Sequence, residues 1–416
     1  MNLLRGLWSY SKKVFALPQR LAGVANHRCQ PEIPTRSITA NLFLAALMRV
    51  GSFLQLQSET ARPGWQRLSG WSRPISDDAL VYALERYDLT DLRQVLVDIN
   101  KTLKRNKALE SAKISGLLVL ALDANEQFHS RHRCCEACCQ RSIQIKDKYG
   151  QVREVTEFYH RQVYAQMHGP DFSIILDLEP IRPGEDEAAA ALRLLGRMRR
   201  TYGPRFFDVV TVDAWYATEP FFKAVHKLGW PVVAVLKQER YDIYKESSAL
   251  RAEQTPQQLQ LQGRQLKLWD VQDLTFGKTG SMRVVLAQES WEQNRRVGKE
   301  TIRETLQSHW RWLLGEQLSG YSPEVIWRIG HQRWGIENHA FNELTQHYHL
   351  THCPHHEPVA IVAWLLFLVL GFTIFELFVH LNSKLWRQGR TTLKEVWRQL
   401  DHAMERVLEL EPLWSG

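Results

Sequence analysis

The chain has 416 residues, 44% of them hydrophobic and 24% charged, with a mean hydropathy of −0.34. That length and balance suit two or three domains with a substantial core and exclude a disordered or fibrous chain. A net charge of +8 favours a polyanionic partner, nucleic acid first.

The N-terminal stretch MNLLRGLWSYSKKVFALPQR interrupts its apolar residues with Arg5, Lys12 and Lys13 and offers no continuous secretory core, so a cytoplasmic protein is expected. SITANLFLAALMRVGSFLQL reads as one apolar-faced helix. ISDDALVYALERYDLTDLRQVLVDINKTLKRN reads as two more, the first capped by Ser76 ahead of Asp77 and Asp78 and the second by Thr90. Residues 1–112 are therefore expected to be a helical region for DNA binding or oligomerisation, leaving through the basic stretch KTLKRNKALESAK.

Residues 113–240 change texture. ISGLLVLALDA is a continuous apolar run of the kind that makes a central strand; EVTEFYHRQVYAQMHG and FSIILDLEPIRPG supply two further strands. EDEAAAALRLLGRMRRTYG opens acidic and closes basic before Gly203, as a helix matched to its dipole does. Strand FDVVTVDA, helix TEPFFKAVHKLG and strand WPVVAVLK follow. A three-strand meander and then alternating helices and strands predict an α/β fold with a ribonuclease-H-like mixed sheet and flanking helices, in which the first and fourth strands lie side by side.

Residues 241–320, Gln-rich and then strand-like with turn signals at Gly277 to Gly280, are expected to be a β-rich insertion, and residues 321–382 the remainder of the core. There, one helix over PEVIWRIGHQRWGIENHAFNELTQHY would put Arg333, Glu337 and Phe341 on one face, with Gly335 marking a close approach or a break. VAIVAWLLFLVLGFTIFELFVHL is nearly long enough for a bilayer, but Glu376 and His380 interrupt it, and a buried helix with no membrane contact is expected. Residues 383–416 should form a C-terminal amphipathic helix within LKEVWRQLDHAMERVLEL.

Chemistry concentrates at strand ends. Asp123 closes the first apolar strand and Asp213 the fourth; with the helical Glu337 they make the smallest set able to hold two divalent cations about a scissile phosphate. An ion between Asp123 and Asp213 would activate water or a 3′-hydroxyl, and one between Asp123 and Glu337 would stabilise the leaving oxygen. Two Mg2+ ions suit such an all-carboxylate site. The alternatives are an intrahelical pair of Glu337 with Arg333, or Glu343 in its place. Trp215 either stacks on a flipped base or packs beneath a helix, and Lys237 and Arg240, after the fifth strand, are candidates for phosphate contacts.

Four of the six cysteines crowd into CCEACC, a poor disulfide framework and a possible ligand source. Cys135 and Cys138 form a Cys-x2-Cys that His352, Cys353, His355 or His356 could complete as a structural Zn2+ site; reduced cysteines without a ligand are the alternative.

The segments LDAN, YHRQVYAQMHGPDFSIILDLEPIRPGEDE, VDAWYATEPFF, VVAVLKQE and RWGIENHAFNEL resemble, over roughly residues 75 to 380, bacterial insertion-sequence transposases of the DDE class with a Y-R-E-K signature around the glutamate. The resemblance implies Asp123, Asp213 and Glu337 as the catalytic triad and Arg333 as the signature arginine. It also implies magnesium-dependent DNA cleavage and strand transfer, with double-stranded DNA as partner through terminal inverted repeats and target DNA, by a homodimer. The signature tyrosine falls on Gly330 and its lysine on Leu344, so phosphate contacts would pass to His331, Gln332 or Asn338. The rival readings are a catalytically impaired or domesticated DNA-binding relative and a ribonuclease-H-like nuclease unconnected with mobility.

Overall fold

The structure is a computed structural model that describes all residues except 1–2, 147, 170, 299, 384–385, 387, 390 and 406–416. It divides into two compact units: the first gathers Met1–Ser111, Ala124–Ala190 and Glu337–Gly416, the second Ala112–Asp123 and Ala191–Ile336. Helices come first: α1 (Leu3–Phe15), α2 (Leu17–Ala22), α3 (Thr35–Leu47), α4 (Phe53–Thr60), α5 (Pro63–Ser69), α6 (Asp77–Leu84) and α7 (Leu89–Arg105). Strands β1 (Val119–Ser130), β2 (Cys139–Lys146), β3 (Val152–His168) and β4 (Ser173–Pro180) follow. Next come α8 (Glu187–Thr201), β5 (Val209–Val212), α9 (Glu219–Lys227), β6 (Val232–Val235) and α10 (Asp242–Ala252). Strands β7 (Gln257–Leu261), β8 (Arg264–Thr275), β9 (Ser281–Val297) and β10 (Glu300–Gly315) precede α11 (Pro323–Gln332), α12 (Asn342–His347), α13 (Pro358–Asn382) and α14 (Leu393–Glu405). The fold is mixed α/β, a mixed sheet with flanking helices.

The first unit is built around α13. Pro358 opens this helix and the Glu357 carboxylate accepts the Ala360 N–H at 2.6 Å, a side-chain cap that places the start. Ala360 to Val379 are all buried, against α1, α3, α6, α7 and β4. The helix is long and apolar enough to cross a membrane, yet here it is the core. At Gly371 a Cβ would stand 2.8 Å from the Ala46 carbonyl carbon and the Leu47 nitrogen, so the glycine permits α13 to touch the backbone of α3.

Two helix boundaries differ from the sequence expectation. The single helix expected around residues 37–56 is two, because Arg49 turns left-handed (φ 60°) and Ser52 starts α4 by accepting the Gln55 N–H. The cap of α7 is Asp88 rather than Thr90: its carboxylate takes the N–H groups of Thr90 and Asp91. Ser76 does cap α6. Of the expected C-terminal helix, residues 406–410 lie outside the described residues.

In the same unit β2 pairs antiparallel with Val152–Tyr159 of β3, and β4 with Gln162–His168. Strand β2 was not expected. After Cys139 its residues are exposed apart from the half-buried Ile143 and Ile145, so they lack the apolar run that marks a buried strand.

In the second unit the order is β1-β5-β6-β10-β9-β8-β7, with β1, β5 and β6 parallel and the rest antiparallel. Only Val119–Asp123 of β1 belong to this unit. The expected insertion therefore continues the sheet: Trp312–Leu314 of β10 pair with Val233–Val235 of β6. Val119, Val209, Val233, Trp312, Ile326, Trp327 and Ile329 share its core, which seats α11 on the sheet.

Candidate active site and metal ligands

The parallel register of β1 and β5 pairs Val119 with Val209, Leu120 with Val210 and Ala121 with Thr211. Continued by two residues, it sets Asp123 level with Asp213. Residues at matching positions of neighbouring parallel strands share a face, so this register would put Asp123, within β1, and Asp213, the residue after β5, on the same side. Asp213 also accepts the Trp215 N–H at 2.8 Å and starts a short 3₁₀ turn, Ala214–Tyr216. Asp123 receives Arg333 Nη1 at 3.0 Å on Oδ2, with the two side chains 14% and 8% exposed.

Arg333 follows the last residue of α11 in the second unit. The straight helix expected across residues 323–348 is not formed. Its winding changes at Arg333, and Ile336–Phe341 run as a π-helix, a widened turn that recurs at functional sites. Glu337 and Asn338 are exposed in that turn and belong to the first unit. In the second unit Trp215 is 64% exposed, and Lys237 and Arg240 are exposed beyond β6. Arg240 lies over the Tyr241 ring at 5.6 Å.

Gly330 and Leu344 are both set by packing. A Cβ on Gly330 would meet Trp312 Nε1 at 2.1 Å, and Leu344 is fully buried. His331, next to Gly330, has its Nε2 2.9 Å from Glu289 Oε1, and Trp327 Nε1 donates to the same oxygen at 2.8 Å. That network fixes α11 on the sheet.

The cysteines gather differently from the sequence expectation. Cys135 Sγ, Cys138 Sγ, His160 Nε2 and His356 Nδ1 all lie within 4.8 Å of one another, while His352 and Cys353 stand outside this group. Cys353 instead points its thiol at the His355 carbonyl, at 3.2 Å. His160 reaches the cluster because the β2–β3 register pairs Cys139 with Tyr159, which brings Cys138 opposite His160. Burial, aided by His356, pushes the His160 imidazole down to about 4, and burial also lowers His356, so both rings are neutral near pH 7.

The transposase DDE domain family matches residues 170–373. Just under half of the chain is thus similar to transposase DDE domains. Asp213, Arg333 and Glu337 fall inside the matched region of this domain and Asp123 before it. A cryo-EM structure of the piggyBac transposase synaptic complex with hairpin DNA is similar at a TM-score of 0.43 and 10% identity, covering 98% of this chain and 82% of that one. A comparison with curated proteins finds no match.

Proposed function

We propose that the protein is a transposase that binds the inverted repeats at the ends of its element, cleaves DNA there and transfers the strands to target DNA. What supports this reading is the parallel pairing of β1 with β5, whose register carried on by two residues makes Asp123 and Asp213 level, in a chain of which residues 170–373 match the transposase DDE domain family. Two hard carboxylates emerging together offer oxygen donors of the type magnesium takes, and Glu337 is the third ligand proposed. When bound, the two ions would polarise the phosphate and lower the cost of forming the attacking oxygen. Asp123, which lies within β1 rather than at its expected end, and Asp213, the residue after β5, would hold the ions, and Arg333, bonded to Asp123, would orient that carboxylate. Trp215 offers an exposed ring for a base, and the exposed Lys237, Arg240 and Asn338 are the phosphate contacts proposed. A homodimer on DNA and a cytoplasmic location complete the proposal, the latter supported by six free cysteines.

The test is a cleavage assay on the element's own ends with magnesium. Product from the parent and none from Asp213→Ala supports the enzyme. Cutting without preference for those ends would favour a nuclease unconnected with mobility. The second reading, a DNA-binding relative that no longer cuts, is favoured by Gly330 and Leu344 at the signature positions. Tight binding of the ends without product would establish it.

A further inference from the structure

The loop before β2 and strand β3 converge in the first unit with the segment that enters α13, and each brings a soft or borderline ligand. Cys135 and Cys138 come from the loop, His160 from β3, and His356 stands two residues before Pro358. The sulphurs are 3.7 Å apart; His160 Nε2 lies 3.5 Å from Cys135 Sγ and 3.2 Å from Cys138 Sγ; His356 Nδ1 lies 3.8 Å from Cys138 Sγ. Zinc bonds of about 2.3 Å to sulphur and about 2.0 Å to nitrogen at tetrahedral angles require edges of roughly 3.8 Å between sulphurs and roughly 3.6 Å between sulphur and nitrogen. The observed edges match these within a few tenths of an ångström.

The loop has the backbone form that thiolate ligands need. The Cys138 N–H donates to the Cys135 carbonyl at 3.1 Å and closes a tight turn, while the Cys135 N–H points at Cys138 Sγ at 3.2 Å. The N–H groups of Ala137 and Cys138 in turn face the Cys135 sulphur. A disulfide would need the sulphurs at about 2.05 Å, well inside their separation here.

We propose that Cys135, Cys138, His160 and His356 form a closed, structural zinc site that staples the β1–β2 loop and β3 to the entry of the buried helix α13. Two thiolates and two imidazoles select zinc over the hard cation proposed for the carboxylates. Four protein ligands leave no open position for substrate, so the site is a fold anchor. The segment it fixes is the one that follows the π-turn bearing Glu337 and then α12. The inference stands independently of the transposase reading, because its ligands and its test involve none of Asp123, Asp213 and Glu337.

The full chain, purified without chelator, should retain one zinc per chain by elemental analysis, and Asp123→Asn should leave that content unchanged. Exchange into cobalt(II) should give thiolate-to-metal charge-transfer absorption from two sulphurs. That absorption should fall by about half in Cys135→Ser and rise by about half in His356→Cys, since it scales with the number of thiolates. His356→Cys keeps four ligands and serves if Cys135→Ser fails to fold. A folded chain without zinc, or cobalt absorption that lacks the thiolate band or that His356→Cys leaves unchanged, would overturn the proposal.

Discussion

Arg333 Nη1 stands 3.0 Å from Asp123 Oδ2, and both side chains are largely shielded from water. Removing only the cation would leave a largely shielded carboxylate without its arginine. Breaking a buried pair from one side typically costs about 3–5 kcal/mol. Arg333→Ala should lose stability on that scale in urea unfolding, and Arg333→Ala combined with Asp123→Asn should recover part of it. Strict additivity of the two substitutions would show that the pair is not coupled.

Gly330 in α11 lies against the Trp312 ring of β10, with no room for a Cβ. Gly330→Ala must displace a fully buried tryptophan, and overpacking of this kind costs about 1–3 kcal/mol. Thermal unfolding should show the loss. Trp312→Phe in the same background should return some of it by opening space, and an alanine variant as stable as the parent would refute the steric account.

Glu376 is buried in α13, and burial, reinforced by Glu343, pushes its carboxyl up to about 8. The Ser173 N–H and Arg49 act the other way, and His380 lies 3.6 Å from it. The folded state holds this proton more tightly than the unfolded one, so the contribution is fully present below about 4.5 and is lost as pH rises to about 8. The slope is about 1.4 kcal/mol per pH unit. His380, lowered by burial, slopes oppositely below its usual range. Subtracting the Glu376→Gln stability profile from that of the parent isolates the glutamate: the variant should gain relative stability between pH 5 and 8, roughly the span named above. Parallel profiles would contradict the burial argument.

The parts of this fold that were legible in the sequence are those whose burial leaves a one-dimensional trace. The runs ending at Asp123 and Asp213 became β1 and β5 because both faces of a central parallel strand are apolar. The apolar stretch of α13 likewise announced a buried helix. Strand β2 left no such trace, since it is exposed after Cys139 and exists through its pairing with β3. His160 was missed for the same reason: only the hairpin register, not any spacing along the chain, puts it opposite Cys138. The π-turn at Ile336–Phe341 was hidden as well, because its residues carry an ordinary helical pattern and only Gly335 hinted at a break.

Asp213 caps a turn and is proposed as a metal ligand, and substitution can separate the two. Its Oδ1 accepts the Trp215 N–H and so caps the turn Ala214–Tyr216, while its charge is what a metal would need. Asn keeps an oxygen for the cap but removes the charge; Ala removes both. Asp213→Asn should therefore unfold like the parent, whereas Asp213→Ala should lose about 1 kcal/mol, the usual worth of a cap. Both should lose DNA cleavage by more than about a hundredfold, since changing even an outer partner of a metal ligand costs about 10–100-fold. Cleavage by Asp213→Asn within tenfold of the parent would leave Asp213 a cap and remove it from the proposed metal site.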